Sequence, residues 1–246
     1  MRDPLARPDG RGHLSQEPPA RWLLIGNSRW HWAERTPDGP LRSWDGGPTL
    51  AGEKSAPPLA WAAAGQPPDP AWPPPKRQVL LSDVPLKGCP PWLGVDRALA
   101  GWGAWRERQD AVLVADAGTV LSLTLVERDG RFRGGRLLAG LALQLEAMAR
   151  GTAQLPRLPI TAQSATDADP WPQETAAAMR CGVENALAAA VVEAARAAGC
   201  QQLVLTGGDG ALLWQRVARP LEARGITVLL RPLLCLESLA RLRPEA

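Results

Sequence analysis

Short apolar runs, each halted by small or polar turn residues, set the rhythm of this chain. Trp22-Leu23-Leu24-Ile25 stops at Gly26-Asn27-Ser28, and residues 29–33 resume with apolar and polar side chains alternating. A period of two marks a strand, so this stretch predicts a strand–turn–strand unit. Trp30 and Trp32 share one face of the second strand, read as core residues rather than as a stacking platform, while Arg29 and His31 share the other. The layout returns later in the chain. A strand over 111–115, a turn at Asp116-Ala117-Gly118-Thr119 and a strand over 120–127 are followed by a hairpin turn at Asp129-Gly130 and a strand over 131–137.

Helical spacing separates these units. Residues 97–108 have it, as do the Leu- and Ala-rich residues 138–150 that follow Gly134-Gly135, and 174–198, where Gly199 is a natural stop. A strand over 202–205 ends at Thr206-Gly207-Gly208, and a helix over 211–218, a strand over 227–230 and a helix over 234–241 complete the chain. Val79-Leu80-Leu81-Ser82 reads as a buried strand and Trp44-Asp45-Gly46-Gly47 as a turn. Residues 56–76, rich in Pro and Ala, read as a surface connection with one helical turn around 59–64, and residues 1–20 as a disordered tail. Strand–turn–strand units in each half, each followed by helices, predict a duplicated α/β architecture with lobes at 21–110 and 111–246 facing each other across a cleft.

Composition narrows the partners. The net charge is +3 and the Arg residues are scattered, so no basic stripe points to nucleic acid. Cys89, Cys181, Cys200 and Cys235 form no close pair, and with two histidines, His13 and His31, a zinc site is excluded. Reduced thiols and the lack of a signal-like segment predict a cytoplasmic protein. No run approaches the roughly 20 apolar residues that a membrane span requires. Eleven Trp, one Phe and no Tyr leave Trp to do most of the aromatic packing.

The chemistry gathers in four segments: Gly26-Asn27-Ser28, Gly94-Val95-Asp96-Arg97, Asp116-Ala117-Gly118-Thr119 and Thr206-Gly207-Gly208-Asp209-Gly210. Gly at such junctions allows a tight turn and close backbone approach to a ligand, whose phosphates can take hydrogen bonds from free N–H groups. Phosphoryl transfer needs neutralised phosphates and an aligned hydroxyl, and a carboxylate within reach of that hydroxyl can take its proton. Asp96 offers such a carboxylate, although Asp in this position also suits the start of a helix as an N-cap.

In this order and spacing the segments resemble the type III pantothenate kinases, of the superfamily that includes acetate kinase, sugar kinases, heat-shock ATPases and actin. The resemblance runs from about Trp22 to about Val228. The first phosphate loop of that family, Asp-x-Gly-Asn-Ser/Thr, falls on Leu24-Ile25-Gly26-Asn27-Ser28. Its Gly-x-Asp-Arg motif falls on Gly94–Arg97, its Asp-x-Gly-Thr loop on Asp116–Thr119 and its trailing Gly-Gly on Gly134-Gly135. A later Thr-x-x-Ala pattern falls on Thr175, Ala178, Met179 and Gly182, and the Thr-Gly-Gly-Asp-Gly loop on 206–210.

The resemblance implies two duplicated ribonuclease-H-like lobes around a nucleotide cleft, and ATP-dependent phosphorylation of pantothenate, the first step toward coenzyme A. It assigns Asp96 as general base, and Gly94, Val95, Asp96, Arg97 and Thr175 to the substrate, with Thr175 reaching across a homodimer. Leu24, Ile25, Gly26, Asn27, Ser28, Arg29, Trp30, His31 and Thr119 would contact ATP with its Mg²⁺. Asp116 would bind a monovalent cation, K⁺ or NH₄⁺. Departures are plain: Leu24 stands where the family has Asp, His31 where it has Lys, Thr124 where Asp is frequent, and Ala139-Gly140 where it has Pro-Gly. The loss at Leu24 keeps open a second reading, a catalytically weak nucleotide-binding regulator of the same fold.

Overall fold

The computed structural model describes residues 19–35, 39–46, 57–65, 73–159 and 169–244; residues 1–18 of the expected tail and much of the proline-rich connection lie outside these. Strands β1 (Arg21–Ile25), β2 (Trp30–Arg35), β3 (Leu41–Gly46) and β4 (Ala60–Ala63) form a first sheet in the order β3-β2-β1-β4. Strands β5 (Val112–Ala117), β6 (Val120–Val126), β7 (Phe132–Ala139), β8 (Gln202–Thr206) and β9 (Thr227–Leu230) form a second in the order β7-β6-β5-β8-β9. Helices α1 (Val95–Arg108), α2 (Leu141–Gly151), α3 (Thr175–Ala198), α4 (Gly210–Glu222) and α5 (Leu234–Leu242) complete the described fold.

The duplication is explicit in the pairing. In each sheet two antiparallel pairings lead to a parallel one: β3·β2·β1 then β4, and β7·β6·β5 then β8. A fifth strand, β9, extends the second sheet in parallel; among the described residues the first sheet has an isolated bridge between Trp61 and Gln78 in that place.

Strand alternation decides what faces what. On β5, Val112 and Val114 enter the same core as Trp22, Leu24 and Leu99, while Leu113 and Ala115 enter the core built with α2, α3 and α4. On β1, Trp22 and Leu24 point into the first core, and Leu23 and Ile25 join Trp30, Trp32 and Trp61 on the opposite face. Helices α1 and α5 pack together between the two sheets. The C-terminal end of α5 is pinned by Trp22, whose indole N–H donates to Arg243 O at 2.9 Å, and ahead of α5 Arg231 donates to both oxygens of Glu107 on α1 at 2.7 and 2.6 Å.

Several local expectations are corrected. Residues 59–64 form no helical turn: Ala60–Ala63 is a strand parallel to β1, because that register buries Ala60, Trp61 and Ala62. Tertiary pairing there overrides the helical preference of Ala. Trp44-Asp45-Gly46 lies within β3 rather than in a turn, with Trp44 stacked on Trp32 at a centroid distance of 6.0 Å. Residues 79–82 are no strand: Gln78 alone bridges β4, Leu80 is exposed, and its N–H donates to Asp83 Oδ2 at 2.9 Å to start a 3-10 turn over Leu81–Asp83. Strand β5 runs through Asp116 and Ala117, which leaves only Gly118 and Thr119 as the turn. Gly134-Gly135 sits inside β7, which extends to Ala139 before α2 begins. Helix α4 continues past Pro220, its last turn anchored by the fully buried Leu221.

Candidate active site

The first turn is built around Gly26. Its N–H donates to Arg29 O at 2.9 Å, and a methyl group at position 26 would stand the same 2.9 Å from that oxygen, closer than ordinary packing allows. Asn27, Ser28 and Arg29 are thereby displayed at the surface, with Gly26 and His31 half-buried beside them. Leu24, Ile25 and Trp30, expected in the same loop, bury their side chains in the cores behind it.

The second turn meets the first directly. Ser28 Oγ and Thr119 Oγ1 are 2.7 Å apart, a hydrogen bond between turns separated by 91 positions in sequence. Around Thr119 the packing is backbone on backbone. Gly140 N–H donates to Thr119 O at 3.0 Å, and a side chain at 140 would overlap Gly118 O. Asp209 N–H donates to Ala117 O at 2.9 Å, tying the Thr206–Gly210 loop to the same turn. Starts of α2 and α4 thus flank the second turn, and their free N–H groups favour negative charge there.

Asp116 shares the strand face of Val112 and Val114 and therefore points between the sheets. Burial, reinforced by the nearby charge of Asp96 and partly relieved by His31, pushes its pKa up to about 6. Gly207, at φ 83°, lies against it so closely that a side chain there would overlap Asp116 Oδ1.

Asp96 lies in the first turn of α1, and Gly94 is the N-cap; no side-chain hydrogen bond caps the helix. The capping role open to Asp96 is therefore not taken, and its half-buried carboxylate lies over Gly94, where a side chain would overlap Oδ1. Cys235 of α5 reaches Asp96 O at 3.6 Å, and burial raises its thiol pKa well above the usual range, with help from Asp116 and Asp96. Arg97 donates from Nε to Thr124 Oγ1 at 3.2 Å, and its guanidinium lies 5.8 Å from the centre of the Phe132 ring. Burial lowers its pKa and Asp96 opposes that shift. The guanidinium passes over Gly135, where a side chain would overlap Arg97 Nη2 and Leu123 O. Val95, by contrast, is buried in the core.

The fold thus brings the Gly26–Arg29 turn to Thr119 and sets Asp96, Asp116 and His31 within electrostatic reach of one another, with Arg97 reaching from α1 to β6 and β7. Thr175 is exposed at the first position of α3, and none of the hydrogen bonds or ion pairs among the described residues ties it to that group. The family model of the type III pantothenate kinases matches residues 86–197. A type III pantothenate kinase from Synechococcus elongatus is 34% identical over 218 residues, covering 78% of this chain and 85% of its own length. The chain belongs to the type III pantothenate kinase family.

Solved structures agree on the fold. One from Campylobacter jejuni, described as a Baf family transcriptional activator, matches with a TM-score of 0.60 at 20% identity, over 90% of this chain and 96% of that one. The activator of 2-hydroxyisocaproyl-CoA dehydratase from Clostridium difficile, solved with ADPNP, matches with a TM-score of 0.51 at 12% identity, over 91% of this chain and 93% of that one. The enzyme shares its two-sheet α/β fold with these structures, and the repeated order of strands in its two sheets is the duplication that the sequence pattern predicts. No described helix is long and apolar enough to cross a membrane.

Sequence reasoning missed two neighbours of this site, Asp45 and Cys235. Asp45 was hidden in a stretch read as a turn. Cys235 carries no local signal, since only the return of α5 beside α1 brings it to Asp96.

Proposed function

We propose that the enzyme carries out the family reaction in the cleft between its two lobes, residues 21–110 and 111–246, with Asp96 taking the proton from the primary hydroxyl of pantothenate as it attacks the terminal phosphorus of ATP. The observation that carries this reading is the Asp96 carboxylate, which caps no helix and whose charge reaches Asp116, on the strand that leads into Thr119 and its bond to Ser28. The turns offer backbone N–H groups and hydroxyls to the phosphates, while Arg97, held by Thr124 and Phe132, offers a planar fork to the polar end of pantothenate.

The residues present fit a cation at Asp116. A buried carboxylate next to a second acid leaves negative charge that a monovalent ion, K⁺ or NH₄⁺, would offset. Among the described residues no group of three acidic, His or Cys side chains is arranged for a metal. In this reading Mg²⁺ arrives with ATP, since it is commonly held by substrate phosphates and few protein groups. When bound, it would neutralise phosphate charge. In this reading Thr175 completes the substrate site of a second copy in a homodimer, and the enzyme works in the cytoplasm.

The test is phosphopantothenate formation by purified protein with ATP and Mg²⁺, in K⁺ and then in Na⁺, beside Asp96→Asn. Turnover dependent on K⁺ that falls roughly 10²–10⁴-fold in the variant is expected for loss of a general base. Unchanged turnover in Asp96→Asn would remove Asp96 from the chemistry. No turnover from native protein that still binds nucleotide would favour the regulator reading.

A further inference from the structure

His31 has a partner that the turn motif does not include. In the register of the first sheet Leu24 lies opposite His31, and His31 opposite Asp45, so the three form one row on the face that looks toward the second sheet. His31 Nδ1 is 2.7 Å from Asp45 Oδ1, and Arg29 Nη1 is 3.3 Å from Asp45 Oδ2. An ionised carboxylate only accepts hydrogen bonds, which assigns the proton to Nδ1 as the donor. Nε2, at the far side of the ring, then lies over the first turn, 3.5 Å from where a methyl group at Gly26 would stand. The charge of His31 reaches Asp116 on β5, and that of Arg29 reaches Asp209. An acid at position 24 would face His31 from β1; in this chain Leu24 is in the core and the acid faces it from β3.

We propose that Asp45 is a positioning residue of the donor site, clamping His31 so that Nε2–H engages the phosphates of the nucleotide with the ring as an imidazolium, and Arg29 beside it. This rests on the nucleotide reading of the cleft. A ring protonated only at Nδ1 presents a lone pair at Nε2, which repels a phosphate oxygen. A phosphate is bound only if Nε2 also carries a proton, so that Asp45 and the phosphate each accept from one ring nitrogen. His31 therefore serves as the cation of the first turn, and its aim depends on a residue two strands from β1.

The test uses the full chain and three probes: MgADP, inorganic triphosphate and adenosine. His31→Gln is expected to weaken MgADP and triphosphate roughly ten-fold, the scale of one charge-assisted hydrogen bond at a partly exposed site. Adenosine binding stays unchanged, and in turnover the KM for ATP rises while that for pantothenate does not. His31→Lys restores phosphate affinity, since lysine carries its charge without the clamp. Asp45→Asn weakens triphosphate binding when His31 is present and weakens it much less when added to His31→Lys, where only Arg29 loses a partner. Should His31→Gln fail to fold, Asp45→Asn compared in the native and His31→Lys backgrounds decides the matter alone. MgADP binding that is unchanged in His31→Gln overturns the proposal but not the functional reading. An equal loss from Asp45→Asn in both backgrounds overturns the clamp by making Asp45 merely structural. Native protein that binds no nucleotide overturns both.

Discussion

Gly207 and Gly208 are adjacent, yet replacing the first by Ala should destabilise the protein and replacing the second should not. Gly207 is left-handed at φ 83°, and a methyl group there would lie 2.5 Å from Ala117 O and 2.7 Å from Ala117 C, besides overlapping Asp116 Oδ1. Two of these atoms are backbone, so no side-chain rotation relieves the overlap. The left-handed conformation alone costs an L-residue about 1–2 kcal/mol. Moving the loop also gives up the bond from Asp209 N–H to Ala117 O, worth about 1 kcal/mol. A loss of about 3 kcal/mol should lower Tm by about 6–12 °C in a chain of this size. Gly208 has nothing within 4 Å, and its φ is not left-handed, so Gly208→Ala should leave Tm nearly unchanged. Thermal unfolding of both variants, followed by the KM for ATP, checks the argument. Equal Tm values for the two would refute it, because the left-handed φ and the approach to Ala117 and Asp116 are what distinguish them.

Asp116 makes stability depend on pH in a direction opposite to that of a salt-bridged carboxylate. With its pKa pushed up to about 6, mainly by burial, the native state holds a proton that the unfolded chain, near 3.9, has lost. Stability should therefore fall as pH rises from about 4 to 6 and level off above, by about 3 kcal/mol in all. Urea unfolding without K⁺ or NH₄⁺ should show Asp116→Asn gaining on the native protein across that window; parallel pH profiles would contradict the assignment. Thr124→Val should release Arg97 Nε from its hydroxyl partner while keeping the shape of the buried side chain. The KM for pantothenate is then expected to rise while the KM for ATP holds, and steady-state kinetics showing the reverse would place Arg97 on the wrong substrate.

Local pattern was enough for much of this protein. Short apolar runs ended by turn residues disclosed β1, β5 and β6, alternation disclosed β2, and helical spacing disclosed the helices, because run length and period mark an element before any partner is known. The turns at Gly26, Gly118 and Gly207 were legible for a similar reason, since small residues at the end of an apolar run mark where the backbone must bend. Strand β4 was not legible: Ala60–Ala63 has a helix-forming composition, and only pairing with β1 makes it extended. Strand β3 was hidden because Asp45-Gly46 looks like a turn until β2 supplies the ladder.

What the sequence determined by itself was the set of chemical groups and their order along the chain, since turn glycines and strand parity are properties of neighbouring residues. What only the tertiary structure decided was their company. Ser28 meets Thr119, Asp96 meets Asp116, and His31 meets Asp45 because two sheets close on the helix pair α1 and α5. Such meetings depend on register and on packing between distant segments, and no local period encodes either.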